Sequence, residues 1–424
     1  MLGLGLSLTG GAVTRGGVSP SLDLDFMAGT MPAAVTFSRT STATRFNSAG
    51  MLETVAAGVP RFDHDPVTLA PRGLLVEEAR TNLVPGTMTG GTYWAVLNTS
   101  VAAGATAPDG TANAVTVTQG AHGVTNYGLT TVSAVPITAS APCTASVFVK
   151  AGTCTWFRMV LADAPTITIS AQAWFNLTTG SVASSSVQTG SPTGISATIQ
   201  NCGNGWLRCT LTATLAASAT AALFLRTVSG DATSTDTGGK TMMFFNPGIE
   251  VGAFATSPIL STTTAASRAV DVATITNIEP WFSPAQGTLF AEFQRVGIPT
   301  GALPRIASFS DGATANLIEF VLSGTEQLAI TTGGVAQGPI IAATSGGTAL
   351  NRIAGAWANN DSAVSLNGAA SVVDGTVTLP TVNRLSIGNR VDLTPGRQTT
   401  GYIRRIRYWQ VRRPNSDLQQ ITAI

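Results

Sequence analysis

In the stretch Trp206-Leu-Arg-Cys-Thr-Leu-Thr-Ala-Thr-Leu215, apolar and polar residues alternate without a break from Leu207 onward. A strand turns successive side chains to opposite faces, so Leu207, Cys209, Leu211, Ala213 and Leu215 share one face and Arg208, Thr210, Thr212 and Thr214 the other. A helix would spread both sets around its circumference, so the segment reads as a half-buried strand. Shorter runs of the same kind fall at 144–150, 155–161, 171–177, 221–228 and 241–246, divided by turn-forming clusters such as Ser229-Gly-Asp231 and Thr237-Gly-Gly239. A second series follows at 287–293, 305–309, 316–322, 327–332, 352–357, 363–367 and 384–388, closing with 401–409. In that closing run the apolar residues stand at 403, 406 and 409, which predicts a β-bulge or a chain passing between sheets. Ser416 suits a helix N-cap, with Leu418 and Ile421 on one face of a short terminal turn.

The expected fold class is therefore all-β: two tandem antiparallel β-sandwiches of jelly-roll type after an irregular N-terminal anchor segment. Charged residues make up 11% of the 424 residues against 44% hydrophobic, with 45 glycines, and that balance favours short strands and tight turns over charged helices. The expected divisions are an N-terminal segment over 1–85, a first sandwich over 86–265, a linker over 266–285 and a second sandwich over 286–424. The N-terminal segment is punctuated by Pro20, Pro32, Pro60, Pro66, Pro71 and Pro85, so its order must come from packing on its own sandwiches, sister chains or a docking partner. No repeat of 20 to 50 residues is evident, which disfavours a solenoid or propeller.

A net charge of +1 supplies no field to draw the chain to nucleic acid or to an anionic membrane. No segment approaches the ~18–20 apolar residues of a membrane helix. Met1 to Gly10 lacks the basic start and cleavage site of a signal peptide and reads as a mature terminus. Cys143, Cys154, Cys202 and Cys209 are too few for a disulfide scaffold and read as buried thiols, with one or two bridges as the alternative.

Three passages carry a further signal. The first runs Phe37-Ser-Arg-Thr-Ser-Thr-Ala-Thr44, Val59-Pro-Arg-Phe-Asp-His-Asp-Pro66, Gly73-Leu-Leu-Val-Glu-Glu78 and Arg80-Thr-Asn-Leu83. The second comprises Gly203-Asn-Gly-Trp-Leu-Arg208, Ile249-Glu-Val-Gly252, Thr256-Ser-Pro258 and Ser267-Arg-Ala-Val-Asp271, and the third begins at Trp281-Phe-Ser-Pro-Ala-Gln-Gly-Thr-Leu-Phe290 and ends at Gly401 to Trp409. Together they resemble a family of tailed-bacteriophage head-spike and tail-fibre proteins, with a carbohydrate-binding-module-like domain followed by a concanavalin-A-like (laminin-G-like) domain. The resemblance implies a virion-surface protein made in bacterial cytoplasm and joined to capsid or tail proteins through its N-terminal segment. It implies adhesion to host surface polysaccharide as a closed homo-oligomer, whose several sugar sites gain avidity together. Where the family often has a Trp in the late strand of the first sandwich, this chain has Phe244-Phe245-Asn246-Pro247.

Sugar binding needs an exposed aromatic to stack on a ring and polar groups for its hydroxyls. The candidates are Trp156 and Trp174 in the first sandwich and Trp357, Tyr402 and Tyr408 in the second, with Arg405 and Arg407 from the basic cluster 404–413; large aromatics in sandwiches are otherwise core. No cofactor is expected; Ca2+ is a candidate at Asp231 and Asp236, where ordinary turn chemistry serves equally. Catalysis is not expected. His64 and His122 lack a partner motif, and Glu292 and Glu319 show no second acid in the spacing that glycoside hydrolysis needs. Asp63, His64 and Asp65 read as a knot with Arg61 or Arg72. The alternatives to adhesion are a capsid decoration or connector protein and, behind it, a polysaccharide depolymerase.

Overall fold

The computed structural model describes residues 19–91, 93–120, 127–297, 303–342 and 347–424. The expected mature terminus at Met1 to Gly10 and His122 lie outside them. Alternation placed the strands well: the model run is the strand Trp206–Thr214, and its neighbours Pro142–Ala151, Trp156–Asp163, Ser170–Asn176 and Thr220–Val228 fall within a residue or two of the expected bounds. The strand from Thr241 runs on to Val251. The chain is all-β, with antiparallel sheets facing one another as sandwiches.

The first sandwich pairs a six-stranded sheet with a seven-stranded one. The six-stranded sheet is ordered Thr193–Asn201, Trp206–Thr214, Pro142–Ala151, Thr241–Val251, Ala114–Gln119, Thr99–Ala105. The other is ordered Ser181–Thr189, Ser170–Asn176, Trp156–Asp163, Thr220–Val228, Tyr127–Thr131, Trp94–Leu97, with Val135–Pro136 also paired to Thr220–Val228. Leu207, Cys209, Leu211 and Ala213 meet Phe157, Met159 and Leu161 in one core, as their shared strand face requires. All four cysteines are free and buried. Burial pushes the Cys143 and Cys202 thiols up to about 12, and that of Cys154 to about 11. A maleimide is expected to label none of them in the folded protein and all four in denaturant; native labelling as fast as that of a free peptide thiol would contradict this.

The second sandwich draws strands from both ends of the chain. In its eight-stranded sheet the C-terminal strand Gly401–Trp409 lies between Gln286–Arg295 and Pro71–Val76, Arg61–His64 pairs beyond Pro71–Val76, and Leu22–Asp25 also pairs with Gly401–Trp409. The facing sheet begins Thr36–Ser38, Val272–Ile275, Arg384–Ile387, Arg305–Ser310. Leu24, Phe62, Leu74 and Val76 therefore share a core with Ile275, Phe309 and Ile406. Gly73 makes this seating feasible, since a Cβ there would sit 2.6 Å from the Ile403 carbonyl oxygen. The segment expected to be irregular packs on its own sandwich as strands, and the expected linker supplies Ala266–Arg268 and Val272–Ile275. Topologically, the first sandwich is an insertion within the second.

The broken alternation of 401–409 is a bulge at Arg404. Glu292 pairs with Arg405 and Phe293 with Ile403, so the register skips Arg404 and both Ile403 and Ile406 turn inward. The terminal helix is Asn415–Thr422, two positions earlier than expected. Pro414 holds the N-cap position without a side-chain cap, so Ser416 lies inside the helix, while Leu418 is buried as anticipated. Among the described residues no helix is long and apolar enough to cross a membrane.

Buried ions join the sandwiches. Arg61 donates to Glu77 (2.7 Å) and to Asp271; Arg39 donates to the other oxygen of Asp271 (3.0 Å); Arg268 stands 3.0 Å from Glu77. Ser257 closes the knot with N–H and O–H bonds to Glu77 at 2.7 and 2.5 Å. Burial alone would raise the Glu77 carboxyl, but Arg268, Arg61 and Ser257 more than offset it and hold it at about 2. The N-terminal motifs, Thr256-Ser-Pro258 and Ser267-Arg-Ala-Val-Asp271 thus meet at one point although far apart in sequence.

Candidate functional site

Above this knot a cleft of about 310 Å³ opens between the sandwiches, at the small end of the ~300–1,000 Å³ usual for ligand sites. Its first wall is the outer face of the edge strand Thr193–Asn201 of the six-stranded sheet and of its neighbour Trp206–Thr214. In Thr193–Asn201 the residues Ile195, Ala197 and Ile199 turn to the core, which leaves Ser196, Thr198 and Gln200 outward. These lie in register with Thr212, Thr210 and Arg208 of the neighbouring strand, forming two rows of hydroxyls, an amide and a guanidinium. Thr198 and Thr210 share a 2.6 Å hydrogen bond. Arg208 is buried over Phe148 and donates to the Thr256 carbonyl (2.6 Å) and to Ser146 (3.2 Å).

The opposite wall comes from the second sandwich and its N-terminal strands. Tyr402 donates from its hydroxyl to Asp63 (2.9 Å), and Arg72 lies over the Tyr402 ring while bonding its hydroxyl (3.1 Å) and Asp65 (2.7 Å). Burial raises the Asp63 carboxyl despite its bonds from the Phe46 N–H and from Tyr402. Asp63 and Asp65 are thus tied through Arg72 as expected, whereas the buried Nδ1 of His64 has no hydrogen bond among the described residues, and the half-exposed arginines 45 and 72 edge the opening. Phe254 completes the wall, with the Arg80 guanidinium over its ring. The arrangement offers several fixed donors and acceptors beside aromatic edges, which is the chemistry of hydroxyl-rich ligands.

No family model and no curated protein matches the chain. Similar solved structures include the CBM40 of the Ruminococcus gnavus IT-sialidase bound to α2,3-sialyllactose, at 16% identity and TM-score 0.30, covering 34% of this chain and 84% of that one. Others are a heptameric SAP-like pentraxin from Limulus polyphemus (12%, TM-score 0.27, 32% and 69%) and domains LG4-5 of the mouse laminin α1 chain (11%, TM-score 0.24, 79% and 89%). Likenesses this low carry no functional information about the chain.

Most of the aromatic candidates are buried, two of them in the core of the second sandwich. Trp357 and Tyr408 are fully buried in an aromatic cluster with Phe309, and neither ring can meet a sugar from solvent. Tyr402 is 9% exposed and reaches the cleft only along its wall. Arg405 and Arg407 do not form a free basic patch, because Asp23 of the strand Leu22–Asp25 lies between them at 2.6 and 3.4 Å. Phe244 and Phe245 are buried and provide no platform. Trp174 is buried beneath the Thr233 carbonyl, which accepts its indole N–H at 2.7 Å, while Trp156 is half-exposed on the same sheet face.

The Ca2+ candidates separate as well. Asp236 is buried against Lys240 and Gln119, whereas Asp231 is exposed and bonds Ser184. Among the described residues no cluster of three or more His, Cys, Asp or Glu side chains is placed to hold a metal. Glu292 and Glu319 stand on different sheets, held by Arg352 and Arg305 respectively, so they are not a pair. The Ser196, Thr198 and Gln200 row was missed. Its signal was the alternation Ile-Ser-Ala-Thr-Ile-Gln over 195–200, which places three polar residues on one strand face.

Proposed function

We propose that the chain is a non-enzymatic adhesion protein that binds host surface polysaccharide in the cleft between its sandwiches. The observation that carries this reading is the double row Ser196, Thr198, Gln200 and Thr210, Thr212 facing Tyr402, Arg72 and Phe254 across about 310 Å³. The motif resemblance of residues 37–83 adds the setting: a fibre or spike on the surface of a tailed-phage virion, homo-oligomeric, joined to capsid or tail. No Ca2+ or other cofactor takes part.

The test is binding of the purified full chain to host cells and to extracted polysaccharide. The double variant Thr198→Val, Gln200→Ala removes three polar atoms from an edge strand at a stability cost of less than about 0.5 kcal/mol. It is expected to bind at least tenfold more weakly, with the polysaccharide recovered at unchanged length. Equal binding by variant and parent would reject the cleft, and release of new reducing ends would reject the non-enzymatic reading. A purely structural connector is the second reading, favoured by the buried ion joint. It predicts virions that lose heat stability without the protein yet adsorb normally.

A further inference from the structure

On the side of the first sandwich away from the cleft, the seven-stranded sheet shows an outer face whose charge the fold does not balance. Phe157, Met159 and Leu161 point into the core, so Trp156, Arg158 and Val160 point outward. Arg158 pairs directly across the ladder with Arg226 on one side and with Trp174 on the other. Two like charges directly opposed on neighbouring strands are destabilising. Both arginines are at most 6% exposed.

Their partners are neutral. Arg158 directs Nε and Nη2 to the Gln172 Oε1 atom (3.0 and 2.6 Å) and lies over the Trp174 ring. Arg226 donates to the Leu129 carbonyl (2.6 Å) and to the Thr130 hydroxyl, over the Phe224 ring. The other buried arginines among the described residues have acids: Arg39, Arg61, Arg268, Arg295 and Arg305 form ion pairs, and Arg208 feels Glu250. Of the acids in the loop after Thr220–Val228, Asp231 bonds Ser184 and the Ala232 N–H and Asp236 bonds Lys240 and Gln119 instead. Burial, followed by the charge of Arg158, holds the Arg226 guanidinium down to about 10. Among the described residues Arg158 Nη1 and Arg226 Nε have no hydrogen-bond acceptor of their own.

We infer that this face is a second binding site, selective for an oxyanion carried on a sugar ring, with Arg158 and Arg226 holding the anion and half-exposed Trp156 stacking on the ring. A guanidinium pair fixed by amide, carbonyl and aromatic neighbours is pre-organised, and a carboxylate or sulfate between the two would relieve their repulsion. The proposal rests on the glycan-binding reading for the ring but not on the cleft.

The experiment titrates the full chain with three probes: an oligogalacturonate, its methyl ester, and a sulfated oligosaccharide of similar length. At low salt the oligogalacturonate, the sulfated probe or both should bind and the ester should not, with affinity falling as salt rises. The preferred acidic probe identifies the anion. Arg158→Gln and Arg226→Gln should each weaken that binding at least tenfold while the melting temperature holds or rises, because one of two opposed charges is gone. The Thr198→Val, Gln200→Ala variant should bind the acidic probe as the parent does, which separates this site from the cleft. Equal affinity for acid and ester, no binding of either acidic probe, or undiminished binding by both arginine variants would overturn the proposal.

Discussion

Glu77→Gln is expected to destabilise the protein by about 3–5 kcal/mol, the usual cost of removing one partner from a buried ion pair. The substitution keeps the shape of the side chain but leaves Arg61 and Arg268, both essentially without solvent contact, short of the charge they surround. Asp271 still faces Arg61 and Arg39, so the joint weakens without losing every contact. The loss should depend on pH, with a definite sign. The Glu77 carboxyl is held from an ordinary 4.5 down to about 2, so its contribution is full above about 4.5 and disappears as pH falls toward 2. Stability curves for parent and variant should therefore lie apart at pH 7 and converge toward pH 2. Buried Glu250, whose carboxyl burial raises despite Arg208, titrates with the opposite sign, which is why the difference between the two proteins is the informative quantity. Denaturant titrations at pH 7, 4 and 2.5 measure it, and a gap of constant size would rule out Glu77 ionisation as its source. Arg405→Gln, which breaks a half-exposed pair with Asp23, should cost less than about 1 kcal/mol.

The second large effect concerns Trp357. Trp357→Ala should cost about 3–5 kcal/mol and lower the melting temperature on the order of 10 °C, through the cavity left among Phe309, Tyr408 and the neighbouring aliphatic core. Trp357→Phe should cost much less than that, because the buried indole N–H has no hydrogen-bond partner among the described residues and its removal returns part of the loss. Polysaccharide bound per folded molecule should not change in either variant. Calorimetry with a binding assay on the same samples separates the two roles: weaker binding at unchanged stability would make Trp357 a ligand residue after all.

The strands that alternate cleanly were legible because one face was apolar and the other polar. Arg61-Phe-Asp-His64 was not, since Arg61 and Asp63 are themselves buried and paired, which hides a strand behind a polar pattern between two prolines. The motifs that hold Arg39, Glu77, Arg268 and Asp271 stood out as passages, but the meeting of these four residues depends on sheet order, which no local pattern conveys. Four of the five aromatic candidates are buried because a large apolar area favours burial over display. The serine and threonine rows were visible as alternation but chemically anonymous in a chain rich in both. Arg158 and Arg226 could not be recognised as opposed until the ladder between their strands was known.

The shared sheet of residues 22–76 and 401–409 has a consequence for synthesis. Because a ribosome releases the amino end first, Leu22–Asp25 and Pro71–Val76 leave it more than 300 residues before their partner strand exists, while the inserted sandwich already has all its strands. Their unpaired edges are then open to neighbouring nascent chains, a circumstance in which sheet proteins misassociate. Crowded expression should therefore penalise this protein through its amino-terminal strands, and a messenger cut short before codon 401 would yield a folded inner sandwich flanked by adhesive tails.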